Sequence, residues 1–270
     1  MISIRSNTER TVSPLLIAIA VLVAISVLVP LVVVVIVAFN GTNSLAVPPA
    51  QPSFRWFIEF LTRPAWTNAA MVSLQVSTIV ALVSIIVGTP IALALVRGGT
   101  WFKRIATFLV IGPIVVPGIA YAVGSFLAWS AFGLTETREG LILASIPLAI
   151  PFVVINVAAA AVNIDPGLEF AARSLGAGPL RTTTRITLPL LLPGIAAGGL
   201  LAFVSAWDEL MIAIFLQGPR VRTLPVLMWN HMAEGITPVV PAGATILLGI
   251  TVVLVLLTAL FRRLFRMRSK

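Results

Sequence analysis

The chain has 270 residues, of which 59% are hydrophobic and 10% charged, and its mean hydropathy is +1.09. A water-soluble domain carries roughly 25% charged residues to cover its surface, so this composition excludes a soluble globular fold. The charge is lopsided, with 18 Lys+Arg against 9 Asp+Glu, and the absence of Cys excludes disulfides, cysteine-ligated zinc and thiol catalysis.

After a short tail (residues 1–13), the run Pro14–Phe39 carries no charge. About 20 apolar residues cross a bilayer, and a cleaved signal has an apolar stretch of only about 7–15, so this run reads as a retained first span. In the loop 40–67, Asn40-Gly41-Thr42 fits a glycosylation sequon, a pattern too short to carry weight. Phe54, Trp56, Phe57 and Phe60 follow Pro48, Pro49 and Pro52 and read as an interfacial helix. A core, 68–262, then holds five further spans. These are Asn68–Val96, Ile105–Thr135 with Pro113 and Pro117, Gly140–Ile164 with Pro147 and Pro151, Ile186–Trp207 continuing past Asp208 and Glu209 to Leu216, and Gly235–Phe261. Between the last two lies the loop 217–237, with a short helix Thr223–Gly235 capped by Thr223 and carrying the lone His231. A basic tail, 263–270, closes an all-α membrane protein of six transmembrane helices.

With six spans the termini share a side, together with the second-to-third and fourth-to-fifth loops. Thirteen of the 18 bases fall there: Arg5, Arg10, Arg97, Lys103, Arg104, Arg173, Arg181, Arg185, Arg262, Arg263, Arg266, Arg268 and Lys270. Of the acids, only Glu9, Asp165 and Glu169 do. The positive-inside rule therefore makes both termini cytoplasmic. Trp66, Trp129 and Trp229 are expected at outer interfaces and Trp101 at an inner one. The bases are few and scattered, which argues against nucleic acid as a partner.

Asp208 lies 18 residues beyond Leu190, about 27 Å along a helix and close to the far edge of a roughly 30 Å core. Acids at such depth are costly unless paired or facing water. Asp208, with Trp207 and Glu209, is thus a candidate for a translocation path; the alternative is a polar helix end held by Arg220 or Arg222. Gln75 and Asn156 are candidates for interhelix hydrogen bonds, and Gly194, Gly198 and Gly199 for close helix packing, at a subunit interface among other places.

The fourth-to-fifth loop, 163–189, differs from the other connections. Asp165 fits an N-cap with Pro166 at the first helical position. Leu168, Ala171, Ala172 and Leu175 recur at helical spacing, and Gly176 sits where a left-handed residue ends a helix. A second short helix is expected from Pro179 through Ile186, with Pro189 starting the next span. The pair forms a helix–turn–helix with one apolar stripe and a basic face of Arg173, Arg181 and Arg185.

The residues Glu169-Phe170-Ala171-Ala172, Gly176-Ala177, Ile186-Thr187-Leu188-Pro189 and Pro193-Gly194-Ile195 closely resemble the EAA motif of permease subunits of binding-protein-dependent ABC importers. Phe170 stands where that family usually has Ala. Phe39-Asn40, Gly88-Thr89, Pro113 with Pro117, and the stretch from Trp207-Asp208-Glu209 to Thr223-Leu224-Pro225-Val226 look like the spermidine/putrescine type, most similar to its C-type permease. The resemblance implies the type I importer permease fold in a bacterial inner membrane. It also implies a second permease subunit, two ATPase subunits and an external solute-binding protein as partners. Glu169, Phe170, Ala171, Ala172, Arg173, Leu175, Gly176 and Ala177 would then form the surface coupling the spans to the ATPase. No GxxxxGK[ST] loop occurs in this chain, so ATP and Mg belong to the separate ATPase. This chain would bind no cofactor or metal and would carry no catalytic residue. A secondary transporter or channel is the alternative reading, and an intramembrane enzyme lacks a catalytic constellation.

Overall fold

The computed structural model describes residues 14–49, 51–219, 221–235 and 237–268. The described residues are helical apart from connections and two isolated β-bridges, and they fall into two compact units.

The first unit holds α1 (Pro14–Ala38), α2 (Arg55–Thr62) and the start of α12 (Val239–Arg268), as far as Ile250. α1 has no charged residue, and of its side chains only Val37 and Ala38 are buried. A helix apolar on every face belongs in lipid or against another apolar surface. At its end Asn40 is fully buried. Its Nδ2 donates to Ser44 O at 2.9 Å, and its Oδ1 accepts from the Thr42 backbone N and Oγ1. Trp56 Nε1 on α2 donates to its carbonyl. The asparagine of the sequon is therefore consumed by a turn. A helix forms where the sequence led one to be expected, with Trp56 and Phe60 turned inward and Phe54, Ile58 and Leu61 exposed. Gly243 lets the Phe60 ring approach, since a Cβ there would lie 2.6 Å from it.

The second unit runs from Thr62 to Glu234 and takes the remainder of α12. Its centre is formed by α3 (Pro64–Arg97), α6 (Arg138–Val162) and α9 (Leu188–Trp207), packed around Val80, Val153, Val157 and Leu191. Small residues set the spacing. A Cβ on Gly198 would stand 2.8 Å from Val153 Cα, one on Gly194 2.6 Å from Ala160 Cβ, and one on Gly199 2.5 Å from Ile85 Cδ1. The glycine seam thus joins α9 to α6 and α3 of the same chain. Gln75 accepts from Arg138 Nη1 at 2.8 Å, an interhelix bond as expected. Asn156 donates instead to Phe152 O of its own helix, the local bond always within reach at four residues' distance.

The third span is not one helix. α4 (Thr100–Val115) and α5 (Gly118–Ser130) meet at 102° across Val116-Pro117. Proline lacks the N–H and disfavours helical conformation in the residue before it; Val116 is accordingly extended, at φ −70° and ψ 131°. Four continuous helices among the described residues are long and apolar enough to cross a membrane, and the bent pair makes a fifth. In α12 the described apolar part is Val239–Val253.

Two further expectations are corrected. Trp66 is fully buried, its ring 4.8 Å from that of His231, so it belongs to the packed interior and not to an interfacial belt; Trp101 and Trp229 are exposed. Helix α11 (Leu224–Glu234) follows Thr223, but the buried Thr223 hydroxyl has no partner among the described residues. The Leu224 N–H donates to Ser73 Oγ on α3 at 2.8 Å instead, so a tertiary contact supplies the cap.

Candidate functional site: the loop between the fourth and fifth spans

Helix α7 (Pro166–Ser174) starts as its sequence dictates: Asp165 is extended, and its Oδ1 accepts from Gly167 N at 2.8 Å. It ends in a Schellman motif. Ala177 N donates to Ala172 O and Gly176 N to Arg173 O, both at 3.0 Å, with Gly176 at φ +85°. Nothing lies within 4 Å of a Cβ built on Gly176, so a substitution there meets only the backbone's left-handed conformation. Gly176→Ala is expected to weaken the turn by about 1–2 kcal/mol. Gly176→Pro, whose ring holds φ near about −65°, is expected to remove the turn and most transport while the chain still inserts. Solute uptake in proteoliposomes, with membrane insertion followed in parallel, checks both; wild-type uptake by the Pro variant would exclude a role for the turn.

Beyond the turn, α8 (Pro179–Thr182) passes through a π turn, Thr183–Thr187, directly into α9. The expected separate helix is thus one continuous rod, Pro179–Trp207. Pro189 cannot donate into the preceding turn, and π turns absorb such interruptions without ending a helix.

Glu169 ties these pieces together. Its Oε1 forms an ion pair with Arg97 Nη2, at the last turn of α3, and accepts from Thr187 Oγ1 at 2.6 Å. One carboxylate therefore joins α3, α7 and the π turn. The sequence places Arg97 only among the bases of the second-to-third loop and Thr187 only within Ile186-Thr187-Leu188-Pro189, and it pairs neither with Glu169. A usable signal existed, because Glu169 is among only three acids placed on the base-rich side of the chain.

The apolar stripe of α7 does not pack on its own chain. Ala172 alone is buried, whereas Ala171, Arg173 and Leu168 are exposed and Ala177 is half-buried. Phe170, Leu175 and Leu180 are 75%, 89% and 77% exposed. The helix–turn–helix presents three large apolar side chains outward on a base fixed by Glu169.

The second candidate group sits where the fifth span breaks. Asp208 ends α9, and α10 (Met211–Leu216) begins three residues later, packed on α5. Trp207 stacks on Phe203 with ring centroids 5.7 Å apart. Glu209 Oε1 accepts from Ile212 N at 3.0 Å, so it caps α10. Asp208 is exposed and makes no ion pair with Arg222 among the described residues; Arg220 lies outside them. Tyr121 on α5, the chain's one tyrosine, donates to Ala144 O at 2.9 Å.

A helical membrane bundle with an outward-facing helix–turn–helix locked to two of its spans has the architecture of a transport component. The chain belongs to the family described as the binding-protein-dependent transport system inner membrane component, whose pattern matches residues 84–266. It is the permease component of an ABC importer in the inner membrane, and the family is one of transport components, not of enzymes. It is 33% identical to the putrescine transport system permease protein PotI of Escherichia coli (strain K12), over 88% of this chain and 86% of that one. It is 27% identical to the spermidine/putrescine transport system permease protein PotC of the same organism, over 85% and 88%. Among solved structures it resembles a bacterial ABC transporter involved in import of the acidic polysaccharide alginate, with TM-score 0.69, 17% identity and coverage of 97% and 99%.

Proposed function

We propose that this chain is one permease of a polyamine importer, moving putrescine, spermidine or a related polycation into the cytoplasm by alternating access. The observation that carries the reading is the locked loop. Glu169 holds it to α3 and the π turn, and Phe170, Leu175 and Leu180 project from it as a docking surface for an ATPase. In this reading the fold is the type I importer permease. It has six spans, of which α4–α5 counts as the broken third and α9–α10 as the broken fifth, and both termini are cytoplasmic. A second permease, two ATPase subunits holding ATP and Mg, and a periplasmic solute-binding protein complete the assembly.

The names of the relatives support the substrate class, and so does the chemistry at the fifth span's break. Broken helices line substrate paths in transporters, and acids kept in a spanning segment mark such paths. There an exposed Asp208 stands beside Trp207, and a carboxylate with an aromatic face suits an alkylammonium ion. Asp208→Asn is expected to lower ATP-driven putrescine uptake roughly tenfold, the scale of one lost charge-assisted contact of about 1.4 kcal/mol. ATPase subunits should still co-purify. Unchanged uptake would remove Asp208 from the path; uptake that persists without ATP would overturn the importer reading itself.

A further inference from the structure

A cavity of about 650 Å³ opens between α3 and the rod formed by the π turn and α9, within the roughly 300–1,000 Å³ of ordinary ligand sites. Its α3 wall includes Ile86, Pro90 and Leu93; its opposite wall includes Leu188 and Leu192. No carboxylate and no other charged side chain lines it, which makes it a poor site for a transported cation. The lining is graded along the rod. Thr183 and Thr184 lie at the loop end, and only Leu, Ile and Pro of the same rod follow deeper in.

The row of wall residues on each side continues into an arginine. On α3 the row Ile86, Pro90, Leu93 leads at helical spacing to Arg97, and on the rod Arg185 lies about one turn before Leu188 and Pro189, with Arg181 a further turn back. Arg181 and Arg185 are exposed and make no ion pair among the described residues. Along the rod the order is therefore arginine, then threonine, then apolar residues, while the α3 wall is apolar apart from Thr89. A phospholipid presents phosphate, then ester, then acyl chain in the same order. From Ile85 to Leu93 the groove runs about 12 Å, which fits within one leaflet of a roughly 30 Å core.

The geometry points to a site for one anionic phospholipid, with an acyl chain in the groove and the phosphate at Arg185 and Arg181, beside Arg97. The position has a consequence for the loop. Arg97 is the residue that holds Glu169, so the headgroup sits next to the joint between α3 and α7. The inference needs the chain in a membrane, but it does not depend on which solute is carried.

The test uses the purified full chain in detergent, titrated with phosphatidylglycerol or phosphatidylcholine of identical acyl chains and read by native mass spectrometry. Phosphatidylglycerol should bind as a saturable single adduct. The double variant Arg181→Ala/Arg185→Ala should weaken that adduct about tenfold, as loss of charge-assisted phosphate contacts does. Leu192→Trp, which fills the groove from a partly exposed position, should remove it. Equal binding of the two lipids, or a phosphatidylglycerol adduct unchanged in both variants, would overturn the site. So would efficient crosslinking of Leu192→Cys to the second permease in the assembled transporter with no lipid retained, because the groove would then be a subunit interface. The crosslink is clean because the chain has no cysteine of its own.

Discussion

Replacing Glu169 by Ala is expected to reduce ATP-driven uptake at least about tenfold while leaving the chain inserted and folded. The carboxylate is the shared acceptor of Arg97 and Thr187, so its removal frees three elements at once. Hydrogen bonds to a charged group contribute about 1.5–3 kcal/mol each. The Arg97 side chain is 42% exposed, which screens its share toward the small values of surface pairs. The global fold therefore survives, and what is lost is the fixed position of α7 relative to α3. Glu169→Gln keeps an acceptor for Thr187 but loses the charge, and is expected to fall between Ala and wild type. The exchange Arg97→Glu/Glu169→Arg should recover part of the activity if the ion pair itself holds the loop. Uptake and ATP hydrolysis by the assembled transporter read these outcomes; undiminished uptake by Glu169→Ala would sink the reading of this joint.

Gly198→Ala is expected to destabilise the second unit by about 1–3 kcal/mol, the range for overpacking a tight core. The added methyl would stand 2.8 Å from Val153 Cα and 3.1 Å from Phe152 O. Those are backbone neighbours, which cannot swing aside as a flexible side chain can. Gly194→Ala meets Ala160 Cβ at 2.6 Å and Asn156 O at 3.0 Å along the same seam. Because both wedges push α9 from α6, the double variant should depart from additivity. Gly124→Ala on α5 is the control: nothing lies within 4 Å of its Cβ, and helix propensity alone favours Ala by about 1 kcal/mol. Unfolding midpoints of the purified variants in detergent decide the matter. Equal midpoints for Gly198→Ala and wild type would mean that the helices can separate without cost.

Local features were legible from the chain. Asp165, Pro166 and Gly176 define α7 through capping and handedness, which are properties of a few consecutive residues. The apolar runs likewise foretold α1, α3, α6 and α9 to within a few positions, because lipid imposes length and composition directly. The loop's resemblance to the EAA motif led to the family by the same route. The span breaks were less legible. Pro30, Pro90, Pro113, Pro147 and Pro151 all lie inside intact helices, whereas Pro117 ends one. A proline's effect depends on whether neighbours satisfy the freed carbonyl, and that is a tertiary property. Least legible were contacts between distant residues. Arg97 meets Glu169 across 72 positions and Ser73 caps Leu224 across 151, and no local pattern encodes either pairing.

The π turn at Thr183–Thr187 fixes something that neither flanking helix can. Each residue of an α-helix advances the chain by about 100° around its axis, and a π turn accommodates one residue more than the α-helix around it. The turn thus acts as a phase-setting spacer between α9 and the arm that carries Leu180 and the Gly176 bend. Deleting one residue there would let an ordinary α turn form in its place and leave the arm at nearly its present azimuth, because the residue removed is the one the wider turn absorbs. In an uninterrupted α-helix the same extra residue would instead carry the arm about 100° further around the axis. The direction in which the loop points therefore rests on the hydrogen-bond pattern of this one turn and not on the composition of the spans.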